Sequence, residues 1–302
     1  MTVDVVTGAF GYSGRQIADR LLERGRQVRT LTNHPQRSSS TTDIEVHPLD
    51  FDDPPGLVAS LRGATTLYNT YWVRFAHGGS NHERALENSR ALFFAARQAG
   101  VERIVHVSIT HPSTTSPYSY FRNKALVERA LAETGLSYAV LRPAILFGDN
   151  GVLINNIAWL LRRLPVFAVG GRGDYRIRAI HVDDLADLAV ALGDDRADEI
   201  VDAVGPERPT FLELVDQIRV AVASRARLVR VPGAAIPLAA GVLNLFLRDV
   251  LLTRDEYRAM ADGLADTSGP ATGKTLLSEW LADHGPVLGQ QYANEIGRHY
   301  KA

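Results

Sequence analysis

Thr7-Gly8-Ala9-Phe10-Gly11-Tyr12-Ser13-Gly14 sets three glycines at intervals of three, directly after the apolar run Val3–Val6. Gly8 permits a tight turn off a strand, Gly11 a close approach of backbone amides to a pyrophosphate, and Gly14 close packing of the following helix. The N-terminus of that helix, predicted from Ser13 to Arg24, offers N–H groups and a positive dipole end to phosphate. The spacing carries weight because a strand precedes it and a helix follows.

Outward from this loop the sequence alternates between two periods. Gln27–Thr32, Ile44–His47, Thr66–Asn69, Arg103–Val107 and Tyr138–Leu141 read as strands. Ser80 with Glu83 reads as a capping box opening a helix through Ala99 to Gly100, and Pro117–Glu133 as a further helix. Such alternation specifies an α/β fold: a doubly wound parallel Rossmann sheet with a smaller C-terminal substrate lobe. The expected division is residues 1–148 for the dinucleotide-binding domain and 149–302 for a mainly helical lobe. A segment from 175 to 205, with helix Val182–Leu192 and strand Glu199–Val204, is expected to return to the sheet. Ile154–Leu164 reads as an amphipathic helix.

Composition narrows the function classes. The 302 residues carry a formal charge of −1, which gives no general case for nucleic acid. Cysteine is absent, excluding disulfides, thiolate metal sites and a cysteine nucleophile. No metal site is expected, and His77, His82 and His111 read as solvated. Strand-like residues from Thr2 leave no room for a signal peptide, so a cytoplasmic location is expected. The longest uncharged run, Val231–Leu247, is shorter than the roughly 20 residues of a membrane span. It is expected as a helix packed in the smaller lobe, with a surface-lying membrane contact as the alternative. The Walker-like stretch from Ser268 to Thr275 lacks its first glycine and reads as a turn. Arg162 and Arg163 read as the wet face of their helix.

The cofactor is read from the end of the second strand. A carboxylate there would bind the ribose 2′-hydroxyl of NAD, but the chain has Asn33, with Arg37 beyond it and Arg15 beside Gly14. Two guanidiniums can pair with a 2′-phosphate, so NADP(H) is favoured, with NAD(H) as the alternative. Asp50, after the third strand, is a candidate for the adenine amino group, or else a turn aspartate. Phe10, Tyr12 and Thr70 are further expected cofactor contacts, and Lys124 is expected to orient the ribose.

Tyr120 and Lys124 stand four apart on a predicted helix, which stacks them on one face. Tyrosine ionises near 10, so acid–base work at neutral pH calls for a nearby cation. Lys124, one of only three lysines, supplies it. Ser108 ends the fifth strand, where a hydroxyl can hold a substrate oxygen, and Asn88 could order a water beneath the site. Tyr71 and Trp72 are expected either to wall the substrate pocket or to pack in the core.

These segments, together with His106-Val107-Ser108, Leu141–Gly148 and His181–Ala186, resemble the short-chain dehydrogenase/reductase superfamily in its extended or atypical branch. The segment around Tyr120 is similar to the complex I accessory-subunit type, and the chain to NmrA-like proteins. The resemblance implies Ser108, Tyr120 and Lys124 as a catalytic triad, and Pro143 to Ile145 as backbone contacts to nicotinamide. Only twelve positions separate Ser108 from Tyr120, shorter than in nucleotide-sugar epimerases. The expected function is NAD(P)H-dependent hydride transfer to or from a small carbonyl, alcohol or activated alkene. The alternatives are a non-catalytic regulator or assembly subunit and an NAD-retaining epimerase or dehydratase. The expected partner is a small molecule, with a homodimer possible in principle.

Overall fold

A computed structural model of the chain describes residues 2–35 and 43–299. In chain order its strands are β1 (Val3–Thr7), β2 (Gln27–Thr32), β3 (Ile44–Pro48), β4 (Ala64–Asn69), β5 (Arg103–Val107), β6 (Ser137–Pro143), β7 (Ile145–Phe147), β8 (Val166–Gly170), β9 (Ala179–His181), β10 (Glu199–Ala203) and β11 (Arg227–Val231). The first six helices are α1 (Tyr12–Glu23), α2 (Pro54–Leu61), α3 (His82–Ala99), α4 (Ser119–Ala132), α5 (Val152–Arg163) and α6 (Val182–Asp194). Then come α7 (Phe211–Ala221), α8 (Ala235–Leu247), α9 (Arg254–Ala261), α10 (Leu277–His284) and α11 (Glu295–His299). The chain forms two compact units, Met1–Pro143 with Val182–Ala203, and Ala144–His181 with Val204–Ala302.

The first unit is a seven-stranded parallel sheet in the order β10-β6-β5-β4-β1-β2-β3. This is the doubly wound Rossmann arrangement, and its order reverses between β1 and β4. Apolar β-branched and leucine runs fill both faces: Val5, Leu31, Leu67, Ile104 and Val140 are fully buried. Asp4 is buried against Arg26 at 2.9 Å, and desolvation raises its carboxyl above the usual range despite that guanidinium. Helices α1 and α6 are tied by Arg20, whose Nε donates to Asp187 at 2.8 Å. Asp183 and Asp184 occupy the first turn of α6, where carboxylates suit the helix dipole.

Two local readings are corrected. The cap of α3 is Asn81, whose side chain accepts from the Arg84 amide, because Ser80 is held in a bridge with His77. Helix α4 starts at Ser119, two residues after Pro117. Helix α2, capped by Asp53 with proline in its first turn, carries too short a pattern to register in the sequence.

The second unit packs α5, α7 and α10 around Phe147, Ile157, Leu214, Ile218 and Trp280. Its strands form two parallel pairs, β7 with β9 and β8 with β11. Arg162, half-buried, and Arg163, exposed, are both engaged by carbonyls of the chain. Arg162 donates to the carbonyls of Val222, Gly285, Pro286 and Leu288, and Arg163 to those of Gly289 and Gln290. Each guanidinium thus satisfies loop carbonyls that have no ladder partner. Buried Arg178 does the same for Gly205, Thr267 and Gly269, which fixes the Ser268–Thr275 stretch as structural loop. Among the described residues no helix is long and apolar enough to cross a membrane, and no cluster of side chains could hold a metal ion.

Candidate active site

The glycine loop lies at the carboxyl end of β1. Gly8 turns the chain at φ +65°, a left-handed conformation that glycine adopts without cost, and its carbonyl accepts from the Gly11 amide at 2.8 Å. A Cβ on Gly14 would lie 2.3 Å from the Gly8 oxygen, so α1 reaches this close only because residue 14 has no side chain. A Cβ on Gly11 would lie 3.1 Å from the same atom. Thr30 Oγ1 accepts from the Ala9 amide and donates to the Val6 carbonyl, both at 3.0 Å, pinning the loop to β2. Thr7 and Thr70 pin it to β4, Thr70 Oγ1 donating to the Thr7 carbonyl at 2.6 Å. No side chain caps the N-terminus of α1. The cradle is shaped for backbone approach by an anion, and these residues fit a dinucleotide pyrophosphate.

Around it, Phe10 and Tyr12 are half-buried, and Arg15 is exposed, 3.7 Å from Asp19 on the next turn. Asn33 is exposed just past β2, and Arg37 lies outside the described residues. Asp50 accepts from the Asp52 amide at 2.9 Å, the turn role weighed against adenine contact. Pro143 ends β6 in the first unit; Ile145 belongs to β7 of the second.

The Tyr120–Lys124 pair shares one face of α4, and Trp72 connects them. The Lys124 ammonium sits 4.4 Å above the Trp72 ring, whose edge contact with Tyr120 spans 5.7 Å between centroids. His82 joins this group, stacked 6.0 Å from Trp72 and edge-on 5.4 Å from Tyr120. It is not solvated, as its ring nitrogens contact Ser119 Oγ at 2.7 Å and the Arg74 carbonyl at 3.2 Å. Lys124 is 2% exposed and donates to the Val107 carbonyl at 2.8 Å. Burial pulls its ammonium down to about 7, against a smaller opposing pull from Glu128.

Glu128 is the residue that sequence reasoning missed. Its carboxylate is held by Arg142 through Nε at 3.0 Å and Nη2 at 2.5 Å, and it accepts the Ser108 hydroxyl at 2.5 Å. Ser108 is therefore directed to a buried ion pair, a partner different from the substrate oxygen expected for it. The signal was present: Glu128 follows Lys124 by one helical turn, and Arg142 precedes Pro143. Asn88 likewise finds a protein partner, donating to the Tyr71 hydroxyl at 2.8 Å, while Tyr71 packs on Phe51. Burial raises the Tyr71 phenol, so it stays protonated. Beneath the site His106 is fully buried and accepts from Asn69 Nδ2 at 3.1 Å through Nδ1. Burial first, and Lys124 second, hold its ring neutral.

The buried lysine has a thermodynamic signature. In the unfolded chain Lys124 binds its proton up to a pH near 10.5, but the folded chain releases it near 7. Between those values the unfolded state binds more protons, so this group's contribution to stability rises with pH and is lost as pH falls toward 7. Lys124→Met removes the effect. The difference in Tm between variant and wild type is expected to move in the variant's favour by about 5 °C or more between pH 10 and pH 7. Thermal unfolding across that range checks it; a constant difference would mean that Lys124 stays charged in the fold.

Comparison with known proteins bears on the ligand of the glycine cradle. A family model described as NAD(P)H-binding matches residues 8–195, well over half of the chain. The protein belongs to this NAD(P)H-binding family. An uncharacterized Mycobacterium tuberculosis protein is 30% identical over 186 residues, 61% of this chain but 19% of that protein's length. Subunit 9 of the NADH dehydrogenase [ubiquinone] 1 alpha subcomplex of Arabidopsis thaliana is 26% identical over 76% of this chain and 60% of its own. The chain thus spans only part of these relatives. In fold it is similar to Citrobacter triphenylmethane reductase complexed with NADP(H), with a TM-score of 0.73 and 20% identity over 94% of this chain and 100% of that one. The glycine cradle, the sheet order and the family match agree on NAD(P)H as ligand.

Proposed function

We propose that this NAD(P)H-binding protein is an oxidoreductase that prefers NADP(H) and reduces a small carbonyl or activated alkene. The observation that carries the reading is Lys124: an ammonium buried over Trp72, one helical turn from Tyr120, with Glu128 already committed to Ser108 and Arg142. Burying a lysine without a dedicated carboxylate lowers stability. A binding module gains nothing from it, whereas a tyrosine acting as an acid needs it.

When bound, reduced nicotinamide supplies a hydride. The protein's own residues supply the rest. Tyr120 passes its phenolic proton to the acceptor oxygen, and the Lys124 charge stabilises the tyrosinate that remains. Trp72 and His82 fix the ring of Tyr120 from two sides, while Asn88 holds Tyr71 as a wall of the substrate space. Ser108 acts as a positioning residue at the end of β5, through Glu128. Arg15 and Asn33 would hold the cofactor's ribose, with Arg15 supplying the cation for a 2′-phosphate.

A second reading, a cofactor-binding subunit without turnover, is favoured by one observation: Ser108 is engaged by Glu128. The two separate experimentally. Titration by fluorescence is expected to show NADPH bound more tightly than NADH, and Arg15→Gln to weaken NADPH about tenfold while sparing NADH. A panel of aldehydes, ketones and quinones, followed by NADPH absorbance, then tests turnover. Tight binding with no oxidation by any acceptor would support the subunit reading and refute the enzyme.

A further inference from the structure

Helix α8 carries a second surface with a chemistry of its own. One face packs against β8, where a Cβ on Gly170 would lie 2.7 Å from Ile236, and Ala240 is buried. The opposite face presents Leu238, Val242, Leu245 and Phe246, spaced as one helical stripe and bare: Leu238, Leu245 and Phe246 are 75%, 79% and 80% exposed. Beside it, Pro237, Leu238 and Tyr257 line a groove of about 470 Å³ with Arg254 and Arg258 at its rim. From Gln217 through Arg248 the sequence holds five arginines and no carboxylate, in a chain whose formal charge is −1. Arg225, Arg227 and Arg230 are exposed on and beside β11, which leads into α8, and Arg248 ends the helix.

We propose that α8 docks this protein on an anionic phospholipid surface, its apolar stripe at the acyl boundary and its arginines at the phosphates. A bare leucine and phenylalanine stripe bordered by guanidiniums is the composition of a helix lying in a membrane interface. The helix, about 20 Å long, lies on the surface rather than spanning it. Charge complementarity selects this occupant: two copies of the chain meeting here would bring like-charged arginines together, whereas an anionic surface neutralises them.

The test uses the full chain and phosphatidylcholine vesicles with or without phosphatidylglycerol, read by co-sedimentation. The protein is expected to pellet with the anionic vesicles, about tenfold more strongly than with neutral ones and less so at high salt. Leu245→Ser with Phe246→Ser, both solvent-facing and so neutral to folding, reduces binding to both vesicle types about tenfold or more. Arg227→Gln with Arg230→Gln reduces only the anionic component. Absence of binding to either vesicle overturns the proposal. So does a wild-type dimer in sedimentation velocity that the serine variant dissociates while vesicle binding stays unchanged, since the stripe would then belong to a second copy. NADPH binding by the variants is the control for folding and leaves the function proposed above untouched.

Discussion

Replacing Tyr120 by phenylalanine is expected to lower kcat for NADPH-dependent reduction by about 10²–10⁴-fold, with NADPH affinity unchanged. The ring keeps its edge contacts to Trp72 and His82, at 5.7 and 5.4 Å, so the architecture of the site survives. What disappears is the hydroxyl proposed to protonate the acceptor. Steady-state kinetics with thermal unfolding as a control separates the two effects. An unchanged kcat would show that the proton comes from elsewhere and would remove Tyr120 from the chemistry.

The second large effect is at Gly14. Gly14→Ala places a methyl 2.3 Å from the Gly8 carbonyl oxygen, which the fixed φ of Gly8 and its hydrogen bonds to β2 and Gly11 prevent from yielding. The helix must back away from the strand, which widens the cradle. NADPH affinity is expected to fall about hundredfold or more, and the overpacked junction to lose about 1–3 kcal/mol of stability. Fluorescence titration and denaturant unfolding measure the two losses. Retained affinity would mean that the pyrophosphate does not lie on this loop.

The features legible in the sequence are those encoded locally. Val3–Thr7 followed by Gly8, Gly11 and Gly14 reads correctly because strand, turn and helix start are contiguous, and the sheet order follows from alternation with right-handed crossovers. Tyr120 and Lys124 are found by the helical period alone. Features that depend on distant partners were not legible. Whether Ser80 or Asn81 caps α3 is decided by the Ser80–His77 bridge, and both residue types cap well. The partner of Ser108 is Glu128, twenty positions onward, brought near by the return of α4 along the sheet. Trp72 joins Lys124 only across the sheet, so its choice between pocket wall and core could not be made from neighbours. Arg162 read as wet because its carbonyl partners lie 60 to 126 positions away.

The claim that the bound dinucleotide is used, rather than merely held, is tested most directly by isotope transfer. NADPH carrying deuterium at both C4 positions of the nicotinamide is incubated with the protein and an acceptor from the panel, and the product is examined by mass spectrometry. Deuterium is expected in the reduced product with wild type, and at least about a hundredfold slower appearance with Tyr120→Phe. Product without deuterium would contradict that claim, and deuterated product at equal rates from both proteins would remove Tyr120 from the proton transfer.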